Sequence, residues 1–502
     1  NSAADVAALA IGSNGYVLTS DGTDPAWAAA SGGPTFKTFG TSSIMIGDDA
    51  TGTIDAANYN TGLGVNVFND LTTGDSNVAM GYGALTNNTT GDSNVAVGVN
   101  SLEANSTGSS NTALGLQALD TNTTASNNTA VGFQSLFANT TGTENVAVGA
   151  EALDANTTGS HNVAVGYAAL TTNTTASYNI AIGDSAMGSN TTGASNVAIG
   201  QDALGNNTTA SANIAIGRNA ALTNTTGSSL VAMGYGALQS NTTGSNNTAL
   251  GRNTLLANTT ADRNTAVGYQ ALLTNTTGAQ NTAVGYDALK LNTTGEANTA
   301  MGEQSMVANT TGSNNTAYGW RALALNTTGI TNCSFGRASL DSCTTGSYNN
   351  SFGYEACTQI TTANYNVAMG TFAGYSLTTG STNTFMGYQA GHYSTPITTG
   401  HDNTCLGAYA HANANAANGQ IVIGYNTLGN GNRTATFGYA SDDTSVSLGS
   451  TTWSAPSDVR LKEDIQDEKI GLDFINELRP VTFQWKKGKD VPSELNAHVA
   501  DS

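Results

Sequence analysis

The sequence is short of charge. Only 10% of its 502 residues are Asp, Glu, Lys or Arg, against roughly a quarter in an ordinary soluble domain. That scarcity excludes classical charged disorder. Basic residues are scarcer still: 15 Lys and Arg against 35 Asp and Glu leave a net charge of −20, which argues against a nucleic-acid partner and for solubility. No run of about eighteen apolar residues occurs, so no membrane-inserting helix is expected. No basic segment followed by an apolar core opens the chain, so none of it reads as a secretory signal. The four cysteines, Cys333, Cys343, Cys357 and Cys405, lack zinc-site spacing. A Cys333–Cys343 bridge is one reading of them, and free thiols packed in a core the other. The five histidines are scattered, with no metal-ligand spacing, and no Gly-x-Ser-x-Gly elbow or phosphate loop is present. No metal and no cofactor is expected. Asp48-Asp49 and Asp442-Asp443 read as solvated turns.

What is abundant is Gly, with 59 copies, together with Asn, Thr and Ser. These are turn formers, the wrong composition for a helical protein. They recur in a seventeen-residue phrase whose plainest copy is Asn264-Thr-Ala-Val-Gly-Tyr-Gln-Ala-Leu-Leu-Thr-Asn-Thr-Thr-Gly-Ala-Gln280. Its first glycine falls at Gly47, Gly64, Gly81, Gly98 and so on to Gly353, Gly370 and Gly387 without slippage. Fixed-period self-similarity is the signature of a solenoid.

Let the phrase glycine be position 0. Position −2 is Ala from Ala79 through Ala317, flanked by Val, Thr or Ile at −3 and by Val, Ile, Leu or Met at −1, with Tyr318 a late exception. Larger, small, larger is the period of a strand. A strand apolar on both faces is covered on both, so one face belongs to the coil interior and the other to an interface between chains. Ala-Leu at +3 and +4 fills the core from the second side, as at Ala288-Leu289. Glycine at 0, and Gly or Ala at +10, mark two bends. Two turns in seventeen residues predict two short strands per coil and a flat β-roll. In-register stacking makes Asn −4 a ladder from Asn77 to Asn383, broken at Leu230. At ~4.8 Å per coil, the array forms a rod on the order of 100 Å long.

Position +7 carries Asn followed by Thr-Thr or Ser-Thr, at Asn88, Asn105, Asn122, Asn139, Asn156, Asn173, Asn190, Asn207, Asn224, Asn241, Asn258, Asn275, Asn292, Asn309 and Asn326. Each is formally a glycan-attachment sequon. Two readings stand open: a repeated tight turn with its hydrogen-bond ladder, or a filament bearing sugar at every coil.

The organisation follows from the repeat. Residues 1–46 are a connector, with two short strands around Ser20-Asp-Gly22, the second ending on Trp27, and a Ser31-Gly-Gly-Pro34 linker. Residues 47–390 are the regular array. Over 391–453 the glycine spacing changes to 20, 17, 14 and 11 (Gly407, Gly424, Gly438, Gly449), with an insertion at His392 to Ile397, as in a capping or neck region. Residues 454–502 form a different kind of segment. The fold class is therefore all-β, a parallel β-solenoid of 17-residue coils followed by a small α+β region.

Phrases such as Asn179-Ile-Ala-Ile-Gly183 and Asn196-Val-Ala-Ile-Gly200 resemble the heads of trimeric autotransporter adhesins, which implies a parallel β-roll assembled as a homotrimer. Asn14-Gly-Tyr-Val-Leu-Thr-Ser-Asp-Gly-Thr-Asp-Pro-Ala-Trp27 resembles a connector common in phage tail-fibre proteins.

From Ser454 the composition changes. Ile465, Leu472, Ile475 and Leu478 make a helical stripe ending before Pro480, and Val481–Trp485 reads as a strand. Ser457-Asp-Val-Arg-Leu-Lys-Glu-Asp-Ile465, Gly471-Leu-Asp-Phe-Ile-Asn-Glu-Leu-Arg-Pro-Val481 and Phe483-x-Trp485 closely resemble the start of the endosialidase-type intramolecular chaperone. The resemblance implies a domain that helps three chains fold together and then cuts itself off. Ser457 and Lys462 match its nucleophile and base, with cleavage beside Ser457, at the bond to Asp458. A serine hydroxyl needs such a base, and a partly desolvated lysine can serve as one.

The expected function is a structural fibre, a phage tail-fibre shaft that attaches to a host-surface receptor, most naturally a glycan. Its place would be the virion, or the extracellular surface if the chain is instead a bacterial adhesin or glycosylated filament. No turnover enzyme is expected beyond one self-cleavage per chain. A polysaccharide-degrading spike would need a carboxylate-lined groove, and the array has few acids at repeated or paired positions.

Overall fold

The computed structural model describes residues 16–20, 25–29, 35–39, 42–47, 56–440 and 442–450, the first three as backbone only. The chain divides at Trp453/Ser454 into two units, and all described residues lie in the first. Strand and turn make up the described residues, with no helix among them.

The alternating stretch near the start forms a hairpin, β1 (Tyr16–Ser20) antiparallel to β2 (Pro25–Ala29), with Leu18 opposite Trp27. β3 (Thr35–Phe39) then runs antiparallel to β4 (Ser43–Gly47), which opens the solenoid. β5 (Thr61–Gly64) and the three-residue strands from β6 (Val78–Met80) to β25 (Thr404–Leu406) follow, one per coil. Each pairs in parallel with the next, Val146↔Val163 and Ala147↔Ala164 setting the 17-residue register. β26 (Ile421–Tyr425) and β27 (Thr434–Tyr439) continue the ladder, and β28 (Asp442–Ser447) folds back antiparallel on β27. A long parallel sheet thus ends on a hairpin strand at both extremes, which blunts its edges.

Each coil has one strand rather than the two that its turns predict. The second wall holds the same coil-to-coil bonds, such as Leu272 N–H to Ala288 O at 3.0 Å and Thr274 N–H to Lys290 O at 3.1 Å. It cannot extend, because residues at +2 and +4 are left-handed: Gln270 has φ 54° and Leu272 φ 52°. Leucine in that conformation is strained and is held by complete burial. Glycine 0 lies at φ +125° in Gly268, and a Cβ there would stand 2.5 Å from Gly285 O. Only glycine fits. At +10 the backbone has no such φ, and Ala125, Ala176, Ala210 and Ala261 occupy it without exposure.

The interior is narrow and half polar. Ala −2, the +3 residue, Leu +4 and both asparagines, −4 and +7, are buried in the regular coils. Asn281 and Asn292, from the two walls of one coil, each donate Nδ2–H to Gly295 O at 2.9 Å. Asn281 N–H also donates to Asn264 Oδ1 at 2.9 Å, and Asn292 Nδ2 to Asn275 Oδ1 at 2.7 Å. Two asparagine ladders therefore run down the core and meet at one carbonyl per coil, meeting the requirement that buried polar groups be paired. The −4 ladder extends beyond its sequence-predicted ends, from Asn60 to Asn403. At Leu230 the backbone N–H still reaches Asn213 Oδ1 at 2.9 Å, but leucine offers no side-chain acceptor to Asn247, so the ladder is broken on that side alone.

Volume is exchanged across the core near both ends. Phe68 replaces Leu at +4 opposite Gly62 at −2, where a Cβ would stand 3.2 Å from the Phe68 ring. The reciprocal exchange places Phe385 at −2 against Gly374 and Gly391 at +4, and a Cβ on Gly374 would lie 2.6 Å from its ring.

Candidate functional site

The −3 and −1 side chains point out of the coil. Met80, Leu114, Ile182, Leu250 and Met369 at −1 are exposed, as are Val95 and Ile180 at −3. Next to them, +1 adds Tyr82, Leu116, Phe133, Tyr167 and Tyr286. The −1 column is apolar in every coil. Beside a −3 column mostly of Val, Ile and Thr, it makes an outer face far longer than the patches ordinary monomers present, while +1 mixes rings with Asp184, Gln201, Arg218 and Arg252. Of the strand's two apolar faces, the alanine face is the interior and the larger residues form this outer one.

Rings in the same column of neighbouring coils stack: Tyr269 on Tyr286 (5.3 Å, 15°), Tyr348 on Tyr365 (5.0 Å, 7°), and Tyr318, Phe335 and Phe352 in a row (4.8 and 5.1 Å). At +1, Arg218 and Arg252 lie on either side of Tyr235, each 5.6 Å from its centroid.

The sequon asparagines face inward. All fifteen, Asn88 to Asn326, are fully buried. Asn207 is typical: its Nδ2 donates to Asn190 Oδ1 at 2.8 Å and to Ala210 O at 3.0 Å, while its Oδ1 accepts from Asn224 Nδ2. The nitrogen a glycan would take is thus spent inside the fold, which favours the turn-and-ladder reading. Between the two readings the sequence leaves open, the clue to burial is that +7 continues as Leu71, Cys343, Ile360 and Leu377, all buried. Where Cys343 succeeds Asn326, the Asn326 Oδ1 loses its partner, and the Cys343 thiol turns to Gly346 O at 3.5 Å.

All four cysteines are free, Cys333 half-buried and the others buried. Burial pushes the Cys343 and Cys405 thiols up to about 12 and raises Cys357 further. Such thiols are core filling and not nucleophiles. The histidines make local contacts: His161 stacks on Tyr178 and meets Glu144 at 3.0 Å, His392 Nδ1 lies 2.9 Å from Ser376 Oγ, and His401 lies 2.7 Å from Asp402. Among the described residues no three His, Cys, Asp or Glu side chains converge to hold a metal ion. No helix there is long and apolar enough to cross a membrane. Asp442 and Asp443 sit on β28 and not in a turn, Asp443 Oδ2 accepting from Leu428 N–H at 3.2 Å.

Ser457, Asp458 and Lys462, like Asp48-Asp49, the α+β region and the helical stripe, lie outside the described residues. Their sequence context carries the comparison. Among curated proteins and among solved structures, nothing matches the chain. Residues 457–499 match the family model described as the chaperone of endosialidase, so the solenoid is followed by a segment similar to that family.

Proposed function

We propose that the chain is the shaft of a homotrimeric attachment fibre, a phage tail fibre or tailspike, whose C-terminal chaperone drives trimer assembly and then cuts itself off. The observation that carries this reading is the apolar outer face joined to a chaperone segment. A single solenoid leaves the apolar −1 column, with −3 beside it, in water along the array, and three copies packed through that face remove it while leaving +1 outside the contact. A chaperone at 457–499 fits a product whose strands must be brought into register before the array can form, because non-local parallel pairing is slow. The fibre resides on the virion and reaches a host-surface receptor, a glycan. Neither nucleic acid nor membrane insertion enters this reading.

Self-cleavage happens once per chain. Lys462 takes the proton of the Ser457 hydroxyl, whose oxygen attacks a neighbouring peptide carbonyl. The departing amine receives the proton, and water releases the acyl group. Sedimentation of the native protein should give three copies per particle, and intact mass should give a chain ending near Ser457. Ser457→Ala should remain full length. Monomers in solution, or a shorter species from Ser457→Ala, would sink the corresponding half of the proposal.

A bacterial trimeric adhesin or glycosylated filament is the second reading, favoured by the adhesin-like phrases and the sequon at each coil. It requires excess mass in hexose-sized steps. The inward Nδ2 atoms support a plain polypeptide mass.

A further inference from the structure

The aromatic rings change their arrangement at one end of the array. Over the regular coils they share a column and stack, so each covers its neighbour's face. From Tyr354 onward they alternate between columns: Tyr354 at +1, Phe372 at +2, Tyr388 at +1, Tyr409 at +2, Tyr425 and Tyr439 at +1. Rings in different columns cannot overlap, and they meet edge to face: 89° for Tyr354–Phe372, 72° for Phe372–Tyr388, 87° for Tyr388–Tyr409 and 84° for Tyr409–Tyr425. Edge-to-face contact is favourable in itself, and it leaves ring faces uncovered. Tyr388 is 42% exposed, Tyr425 47% and Tyr439 68%. The zigzag puts one ring on each of six successive coils, a stripe about 25 Å long at ~4.8 Å per coil.

The insertion sits beside this stripe. The coil from Gly387 to Gly407 is the one that lengthens, against a spacing of 17 before it and 17, 14 and 11 after it. Its added residues bring Tyr393 against Tyr409 (4.7 Å) and His411 (5.7 Å), and His392 against Tyr375 (4.9 Å). A departure from a repeat that adds an exposed ring next to other exposed rings is what a binding site requires. At the start of the stripe Tyr354 Oη accepts from Arg337 Nη1 at 2.6 Å and carries the Arg337 guanidinium 5.2 Å from its ring centroid, Arg337 itself pairing with Glu355. The chain as a whole carries a net charge of −20, which disfavours anionic ligands.

We infer that this aromatic zigzag, with Tyr393 at its side, is a saccharide-binding surface that takes an uncharged, pyranose-based polysaccharide lying along the coil axis. The C–H faces of pyranose rings pack on aromatic faces, the phenol hydroxyls supply hydrogen bonds, and the coil pitch is comparable to the length one pyranose adds to an extended chain. The inference rests on the attachment-fibre reading and names where that attachment occurs.

Affinity electrophoresis of the full chain in gels containing dextran, galactomannan or a mixed-linkage β-glucan tests it, with polygalacturonate as the anionic control. At least one neutral polysaccharide should retard the native protein, and polygalacturonate should not. Tyr388→Ala and Tyr425→Ala should each weaken retardation tenfold or more without changing oligomeric state. Tyr269→Ala, in the stacked part of the +1 column, should leave it unchanged. Nitration of the native protein by tetranitromethane should modify Tyr393 and Tyr425, and the retarding polysaccharide should protect them. Absence of retardation by every neutral polymer, equal retardation by polygalacturonate, or retardation insensitive to Tyr388 and Tyr425 would overturn the inference. Resistance of these tyrosines to nitration without saccharide would assign the stripe to contact between copies, and would overturn it too. Trimer mass and Ser457 cleavage are read separately, so loss of this site leaves the fibre reading standing or falling on those measurements.

Discussion

The coils from Asn77 to Asn326 and those from Cys343 to Tyr439 share a backbone path but not a way of filling it. In the first group both inner columns are asparagine apart from Leu230, and the amides bond their counterparts one coil away. Such a ladder demands sameness, because a coil that differs orphans its neighbours. In the second group +7 becomes Cys343, Ile360, Leu377 and Ile397, and −2 becomes Ser334, Ser351, Phe385, Cys405 and Val422. Apolar filling needs only matching volume, so individuality becomes tolerable there. The insertion and the unstacked rings appear where the +7 ladder has ended.

That contrast can be broken most forcefully at Phe385. Phe385→Ala should cost about 4 kcal/mol, and Gly391→Leu about 3 kcal/mol by overpacking. Leu at +4 elsewhere tolerates φ near +50°, so the objection to Leu at 391 is space and not backbone. The double variant should therefore lose less than the sum, measured as a coupling energy in denaturant melts. Additive losses would mean that the two sites do not exchange volume.

Asn207→Ala should come next, at about 3 kcal/mol, because Asn190 Oδ1 and one Nδ2–H of Asn224 are left unpaired in the core, the other still donating to Gly227 O. Cys343→Ala, at the corresponding position past the ladder's end, should cost about 1 kcal/mol. Equal losses by thermal melting would remove the distinction between the two groups. Within one regular coil, Gly268→Ala should cost about 2 kcal/mol through its positive φ and the Gly285 carbonyl. Gly278→Ala, at ordinary φ, must move the Gly295 carbonyl 2.3 Å from its Cβ, as a coil carrying Ala261 already does, and should cost less, about 1 kcal/mol.

The smallest effect concerns Glu103 and Asp120, which share position +5 in adjacent coils. Burial, reinforced by the Glu103 carboxylate, raises Asp120 to about 6. A carboxyl raised on folding contributes stability below pH ~4 that is lost as pH climbs through about 6. Asp120→Asn should flatten the melting profile over that interval and raise the midpoint slightly at pH 7. An unchanged pH profile would mean that the two carboxyls are not coupled.

Much of this was legible in the sequence. The period, the strand at −3 to −1, the inward leucine and the opening hairpin follow from spacing and alternation. The missing second strand does not, because nothing about Gln270 or Leu272 as residue types announces a left-handed backbone; the ring of contacts around a buried Leu enforces it. Nor does burial of the sequon asparagines, since an amide followed by two threonines reads as surface until its partners one coil away are seen. The proposed catalytic pair is legible only through its likeness to a family, as Ser-x4-Lys on its own is an ordinary spacing.

One carbonyl per coil, exemplified by Gly295 O, receives an amide from each wall. All that a coil requires of its surroundings is thereby met within itself and by the coils on either side. Loss or duplication of a whole seventeen-residue unit among the regular coils leaves every such requirement satisfied, whereas loss of one residue violates all of them at once. The length of the array is accordingly a quantity that changes in whole steps of ~4.8 Å, and adding or removing a unit lengthens or shortens the solenoid without redesigning it.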